Sequence, residues 1–114
     1  MSEQVIEQMI QDKKLNAPRL NPGLIDLVIE DEMYHRFEGT TVTVCCLRLR
    51  NGYCVIGESA AASPENFDQE IGNKIARDNA RNKIWALEGY LLKQRLFDTE
   101  EYENLPTEVK SING

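Results

Sequence analysis

The stretch Ser63–Leu96, SPENFDQEIGNKIARDNARNKIWALEGYLLKQRL, constrains the fold more than any other part of the chain. Its spacing predicts one long helix: Ser63 is placed to cap the free amides of the first turn, and Pro64 follows where no intrahelical N–H bond is lost. Residues set about 100° apart put Phe67, Ile71, Ile75, Asn82, Trp85, Gly89, Leu92 and Leu96 on one stripe. Ala76, Ala80, Ile84, Leu87 and Leu91 line the opposite side. A helix lying on a single sheet needs one such stripe, so the second predicts burial against another element of this chain or of another copy.

Asn51-Gly52 is the other strong local signal. It separates the β-branched and apolar run Thr41–Arg50 from Tyr53–Glu58, the pattern of an antiparallel hairpin with a two-residue turn. That loop length sets Arg50 opposite Tyr53, Arg48 opposite Val55, Leu47 opposite Ile56 and Leu49 opposite Cys54. Neither face of this hairpin is cleanly polar, and two strands alone are marginal as a sheet. Upstream, Ser2–Lys14 reads as a short amphipathic helix that must dock or fray. Asn21-Pro22 repeats the helix-start logic and opens a second helix running to about His35, with Glu30, Asp31 and Glu32 as a solvated acidic face. The expected architecture is α+β: short N-terminal helices, an antiparallel β-hairpin and one long C-terminal helix, packed as a homo-oligomer. One domain spans residues 1–97, with its core in 21–97 and the N-terminal helix loosely docked, and residues 98–114 form an acidic flexible tail.

The chain has 114 residues, room for one modest core, and a formal net charge of -6. Residues 1–35 hold seven acids and three bases, residues 97–114 five acids and one base, and residues 36–96 seven acids and nine bases. This acidity argues against a broad footprint on duplex nucleic acid but leaves room for a local anion site in the slightly basic centre. There is no apolar run long enough to span a membrane, and the opening Ser2, Glu3 and Gln4 do not start a secretory signal. Cys45, Cys46 and Cys54 are odd in number and fit reduced cytosolic thiols.

The residues assemble no catalytic or metal constellation, and no cofactor is implied. His35 is the sole histidine, and the adjacent Cys45 and Cys46 point to opposite faces of a strand. Ser59 and Ser63, on a small-residue loop before the long helix, are candidate anion ligands together with Arg77 and Arg81. The plainer reading makes Ser63 a cap and the arginines a solvated face. Arg48, Arg50, Tyr53, Asn82 and Trp85 are candidates for a groove or subunit interface.

The block TTVTVCCLRLRNGYCVIGESAAASPENFDQEIGNKIARDNARNKIWALEGYLL, Thr40–Leu92, resembles the family of small tailed-phage proteins named after gene product forty-nine and gene sixty-six relatives. The likeness extends more weakly upstream through APRLNPGLIDLVI. The resemblance implies phage or prophage origin and action in the cytoplasm of the bacterial host, with no catalytic residues to transfer. Many relatives have proline where this chain has Ala86; alanine lets the helix continue without a kink. The leading expectation is a non-enzymatic accessory protein that self-associates and binds a host protein or a small anionic nucleotide in a virus–host interaction. Two alternatives are a small enzyme acting on nucleotides at a subunit interface and a protein binding single-stranded nucleic acid through Tyr53 and Trp85.

Overall fold

The computed structural model describes residues 2–15 and 17–106. The elements in chain order are α1 (Glu3–Asp12), α2 (Pro22–Leu27), β1 (Ile29–Arg36), β2 (Thr43–Leu49), β3 (Cys54–Ser59), a 3-10 turn at Pro64–Asn66, and α3 (Gln69–Glu103). The strands form one antiparallel sheet in the order β1-β2-β3, with α3 packed across one face. The α+β class is as expected, but the sheet has three strands where the sequence pattern led to two.

The added strand comes from the segment read as the rest of the second helix. Asn21 caps α2 as expected, its side chain accepting from the Leu24 amide at 2.9 Å. The helix ends at Leu27, and Ile29–Arg36 pairs along β2 from Ile29 opposite Leu49 to Arg36 opposite Thr43. A register shift between Ile29 and Asp31 leaves Glu30 as an extra residue. That bulge sets apolar Ile29, not Glu30, on the helix-covered face, where it packs against the core. The strand itself splits the acidic run, because adjacent Asp31 and Glu32 point to opposite faces.

The β2–β3 turn is one residue longer than expected. The Leu49 carbonyl accepts from the Gly52 amide at 2.9 Å, and the Leu49 amide donates to the Tyr53 carbonyl at 2.8 Å. Gly52 takes φ +89° while Asn51 stays outside the left-handed region, so the loop is a type I turn closed by a glycine bulge. The slip moves every β3 side chain to the other face relative to β2: Leu47 lies opposite Val55, Cys46 opposite Ile56 and Arg48 opposite Cys54. Val55 and Gly57 are therefore buried, and Cys54, Ile56 and Glu58 face outward. The slip improves the burial pattern, since the expected register would have turned Glu58 toward the helix.

The long helix begins later than its proline suggested. Ser63 heads only the 3-10 turn and makes no side-chain cap bond, whereas Asp68 caps α3 by accepting from the Ile71 amide at 2.9 Å. Of the two apolar stripes, the small-residue one is the core stripe: Gly72, Ala76, Ala80 and Ile84 are buried, with Ile25, Cys45, Leu47, Leu49 and Val55 around them. Ile71 is 60% exposed, and Ile75 and Asn82 are exposed as well. The helix passes unbroken through Ala86 and continues to Glu103, so residues 98–103 are helical and not tail; residues 107–114 lie outside the described residues.

Small residues allow α3 to approach the sheet closely. A Cβ built on Gly57 would lie 2.1 Å from the Ala80 amide nitrogen and 2.3 Å from the Ala76 carbonyl oxygen, both backbone atoms. Gly57→Ala must therefore push helix and strand apart, and thermal or urea unfolding should register a loss of about 3 kcal/mol or more. Gly89 is the contrasting position, because its added Cβ meets only the Leu20 side chain at 3.8 Å. Gly89→Ala should raise stability by up to about 1 kcal/mol through helix propensity in the same measurement.

Candidate functional site

A concave region lies where α1 and the connector to α2 meet the middle of α3. Arg81 follows the buried Ala80 and has a side chain only 11% exposed. Its Nε donates to Asp26 Oδ1 at 2.8 Å, one terminal nitrogen to Glu3 Oε2 at 2.6 Å and the other to the Pro22 carbonyl at 3.2 Å. One turn further along, Trp85 Nε1 donates to the same Glu3 oxygen at 2.9 Å. Glu7, one turn after Glu3 on α1, receives both terminal nitrogens of Arg19 at 2.9 and 2.7 Å. Ser2 caps this helix by accepting from the Val5 amide at 3.3 Å.

Two cavities flank Glu3. An apolar cleft of about 250 Å³ is lined by Ile6, Ile10, Leu20, Pro22 and Trp85 together with Glu3 and Glu7. A polar recess of about 270 Å³ is lined by Glu3, Asp78, Arg81 and Asn82. Burial acts to lower the Arg81 pKa, but the carboxylates of Asp26 and Glu3 outweigh it and hold the guanidinium above its ordinary value. The hydrogen bond from Arg19 holds Glu7 below its ordinary 4.5. The site is therefore a charge-paired seat for a carboxylate beside an apolar wall.

Of the residues singled out in the sequence, Arg81, Asn82 and Trp85 meet here. The others lie elsewhere. Arg77 Nε donates to Glu32 Oε2 of β1 at 2.8 Å, and Arg48 is 3.5 Å from Asp31. The Arg50 amide donates to the Val28 carbonyl at 3.0 Å, and Tyr53 is exposed beside the β2–β3 turn. Ser59 Oγ donates to the Gly72 carbonyl at 2.7 Å, while the Ser63 hydroxyl donates to the Glu65 carboxylate. Glu3, Glu7, Arg19 and Asp26 were not singled out from the sequence. Their only signal there was the i, i+4 spacing of Glu3 and Glu7, since Glu3 and Arg81 are 78 positions apart.

At the other polar cluster a phenol and a thiol are both shifted toward their protonated forms. Tyr34 OH donates to Glu32 Oε1 at 3.0 Å, and desolvation followed by the Glu32 contact pushes the phenol up to about 12. Burial pushes the neighbouring Cys45 thiol up as well, which favours its protonated form. Cys45, Cys46 and Cys54 are free thiols; Cys54 lies on the Cys46 face of the sheet, not on the Cys45 face expected from the shorter turn. Among the described residues, no three His, Cys, Asp or Glu side chains form a group able to hold a metal ion. No helix of the described residues is long and apolar enough to cross a membrane.

The fold and site define a small α+β protein with a helix-covered antiparallel sheet and a charge-paired cleft on the helix side. The chain belongs to the phage protein (N4 Gp49/phage Sf6 gene 66) family, whose model matches residues 20–96. No curated protein and no solved structure matches the chain. The matched region contains α2, the sheet, Arg81 and Trp85, and α1 lies outside it.

The depressed Glu7 pKa links α1 docking to pH. With its folded value below 4.5, its stabilising contribution is complete above 4.5 and is lost as pH falls through the lower folded value. Acid titration followed by Trp85 emission should show the cleft opening in that window, before global unfolding by circular dichroism. Glu7→Gln should remove this step, and identical acid profiles for the two proteins would rule it out.

Proposed function

We propose that this chain is a phage or prophage accessory protein that works by binding in the host cytoplasm, without catalysis, and as a self-associated species. The observation that carries the reading is the distal half of α3. The buried stripe of that helix ends at Ile84, yet the helix runs on to Glu103. Beyond the stripe, Tyr90 is 70% exposed and Phe97 49% exposed, with Leu91 and Leu96 also open to solvent. A helical extension of this kind is marginal by itself in water, and a second copy packed along it supplies the missing burial. The uncovered sheet face, with exposed Met33 and Ile56 and half-buried Val44 and Cys46, offers further apolar area.

The arginines proposed as anion ligands are engaged by carboxylates of the same chain. A nucleotide at Arg77 would compete with Glu32, and one at Arg81 with Asp26 and Glu3. A lone phosphate would displace these carboxylates with no apolar contact to offset the loss, whereas a protein partner brings apolar contact as well, which favours a protein over a small anionic metabolite. The N-terminus of α3 is likewise met by the Asp68 carboxylate, which disfavours an added anion.

Light scattering on the purified protein should give a mass of at least twice the 13.0 kDa of one chain. Replacing Leu96 and Phe97 together by glutamate should return the mass to 13.0 kDa while circular dichroism stays unchanged. A wild-type protein that remains at one chain's mass at high concentration overturns self-association. Native mass spectrometry with a panel of linear and cyclic nucleotides should show no stoichiometric small mass; capture of one would transfer the reading to nucleotide binding.

A further inference from the structure

We infer that the groove formed by Arg19, Leu20, Pro22, Arg81 and Trp85 is a docking site for an acidic amphipathic helix of a partner protein, and that α1 is its tethered intramolecular occupant. The inference rests on the reading that the chain acts by binding and does not depend on self-association through α3.

Several independent observations converge on it. Leu20, Pro22, Arg81 and Trp85 of the groove lie within the family-matched residues, Arg19 immediately precedes them, and α1 lies outside them. α1 itself has no buried residue, and Val5, Ile6 and Met9 all remain exposed. Its attachment is through the two carboxylates one turn apart: Glu3 on Arg81 and Trp85, and Glu7 on Arg19. Between these contacts the groove is incompletely filled, leaving the cleft of about 250 Å³ beside Ile6 and Ile10. The chain then leaves α1 through Lys14 at φ 54°, in the left-handed region, and an exposed Leu15.

A helix that is polar-anchored, has no buried residue and leaves a cavity behind it behaves as a ligand held by its tether. Charge complementarity defines what replaces it. The competitor carries carboxylates at i and i+4 to meet Arg81 and Arg19, with apolar residues at i+3 and i+7 against Leu20, Pro22 and Trp85. A side chain larger than Ile6 at i+3 would fill the unfilled cleft and bind better than α1 does.

The test uses the full chain and a fluorescent synthetic peptide with the sequence of residues 2–14. Weakening the tethered helix by Glu3→Gln and Glu7→Gln in the protein should tighten peptide binding, read by anisotropy, by about tenfold or more over wild type. Removing both carboxylates from the peptide, or adding Arg19→Gln to the protein, should reverse that gain. A peptide carrying Ile6→Phe should bind more tightly than the parent and change Trp85 emission on binding to the wild-type chain. This last measurement keeps the question open to experiment if the double variant unfolds. Absence of peptide binding, or binding indifferent to the peptide's carboxylates, overturns the inference. A chain that self-associates through α3 yet ignores every peptide overturns the groove alone and leaves the association reading standing. A light-scattering mass that falls on Glu7→Gln assigns the groove to α1 of a second copy and overturns a foreign helix as its partner.

Discussion

The near-contact of two backbones, β3 at Gly57 and α3 at Ala76 and Ala80, is the constraint on which the rest of the structure depends. It brings α3 close enough for its polar side chains to reach strand carbonyls: Asn79 donates to Glu58 at 2.8 Å and Lys83 to Ile56. In the observed register those carbonyls point away from β2, along the free edge of β3. The helix therefore covers the sheet and blunts one of its edges with the same turns. Ser59 and Gln69 complete the seam through Gly72 and Thr43, so the buried Thr43 hydroxyl has a partner.

Charge placement follows from this seam. The acidic N-terminal third and the slightly basic centre are not separate surfaces, because acids of the first meet arginines of the second. Asp26 and Glu3 meet Arg81, Glu32 meets Arg77, and Asp31 meets Arg48. The Arg77–Glu32 and Arg48–Asp31 pairs are solvent-accessible and serve orientation more than stability. Arg81 differs, since it is nearly buried and binds α1, α2 and the core helix together through three acceptors. Removing its partners would leave a poorly hydrated cation. Within the chain, the site's chemistry is the pairing of one guanidinium with two carboxylates and a carbonyl.

Legibility in the sequence tracked how local each signal was. The Asn21-Pro22 start was readable because cap and proline act within one turn. The hairpin was readable from Asn51-Gly52, but the glycine belonged to a bulge and not to a two-residue turn, and one residue of difference inverted the faces of β3. Ser63-Pro64 was a sound helix-start signal that opened a 3-10 turn, while Asp68 supplied the cap of the long helix. Arg81 and Trp85 stood out by their helical spacing; Asn82 was placed on an apolar stripe and is exposed. Glu3, their carboxylate partner, gave no local sign of that role.

By itself, the sequence determined the α+β class, the existence of β2, β3 and the long helix, the start of α2 and the family. Each of these rests on periodicity, capping or turn chemistry contained within a few residues or one continuous block. Only the tertiary structure decided that Ile29–Arg36 is a strand, which of the two stripes on α3 is buried, and which acid meets Arg81. Those outcomes depend on what lies opposite. Pairing with β2 outweighed a helical continuation, the Gly57 approach selected the alanine stripe, and the fold alone brought Glu3 to Arg81.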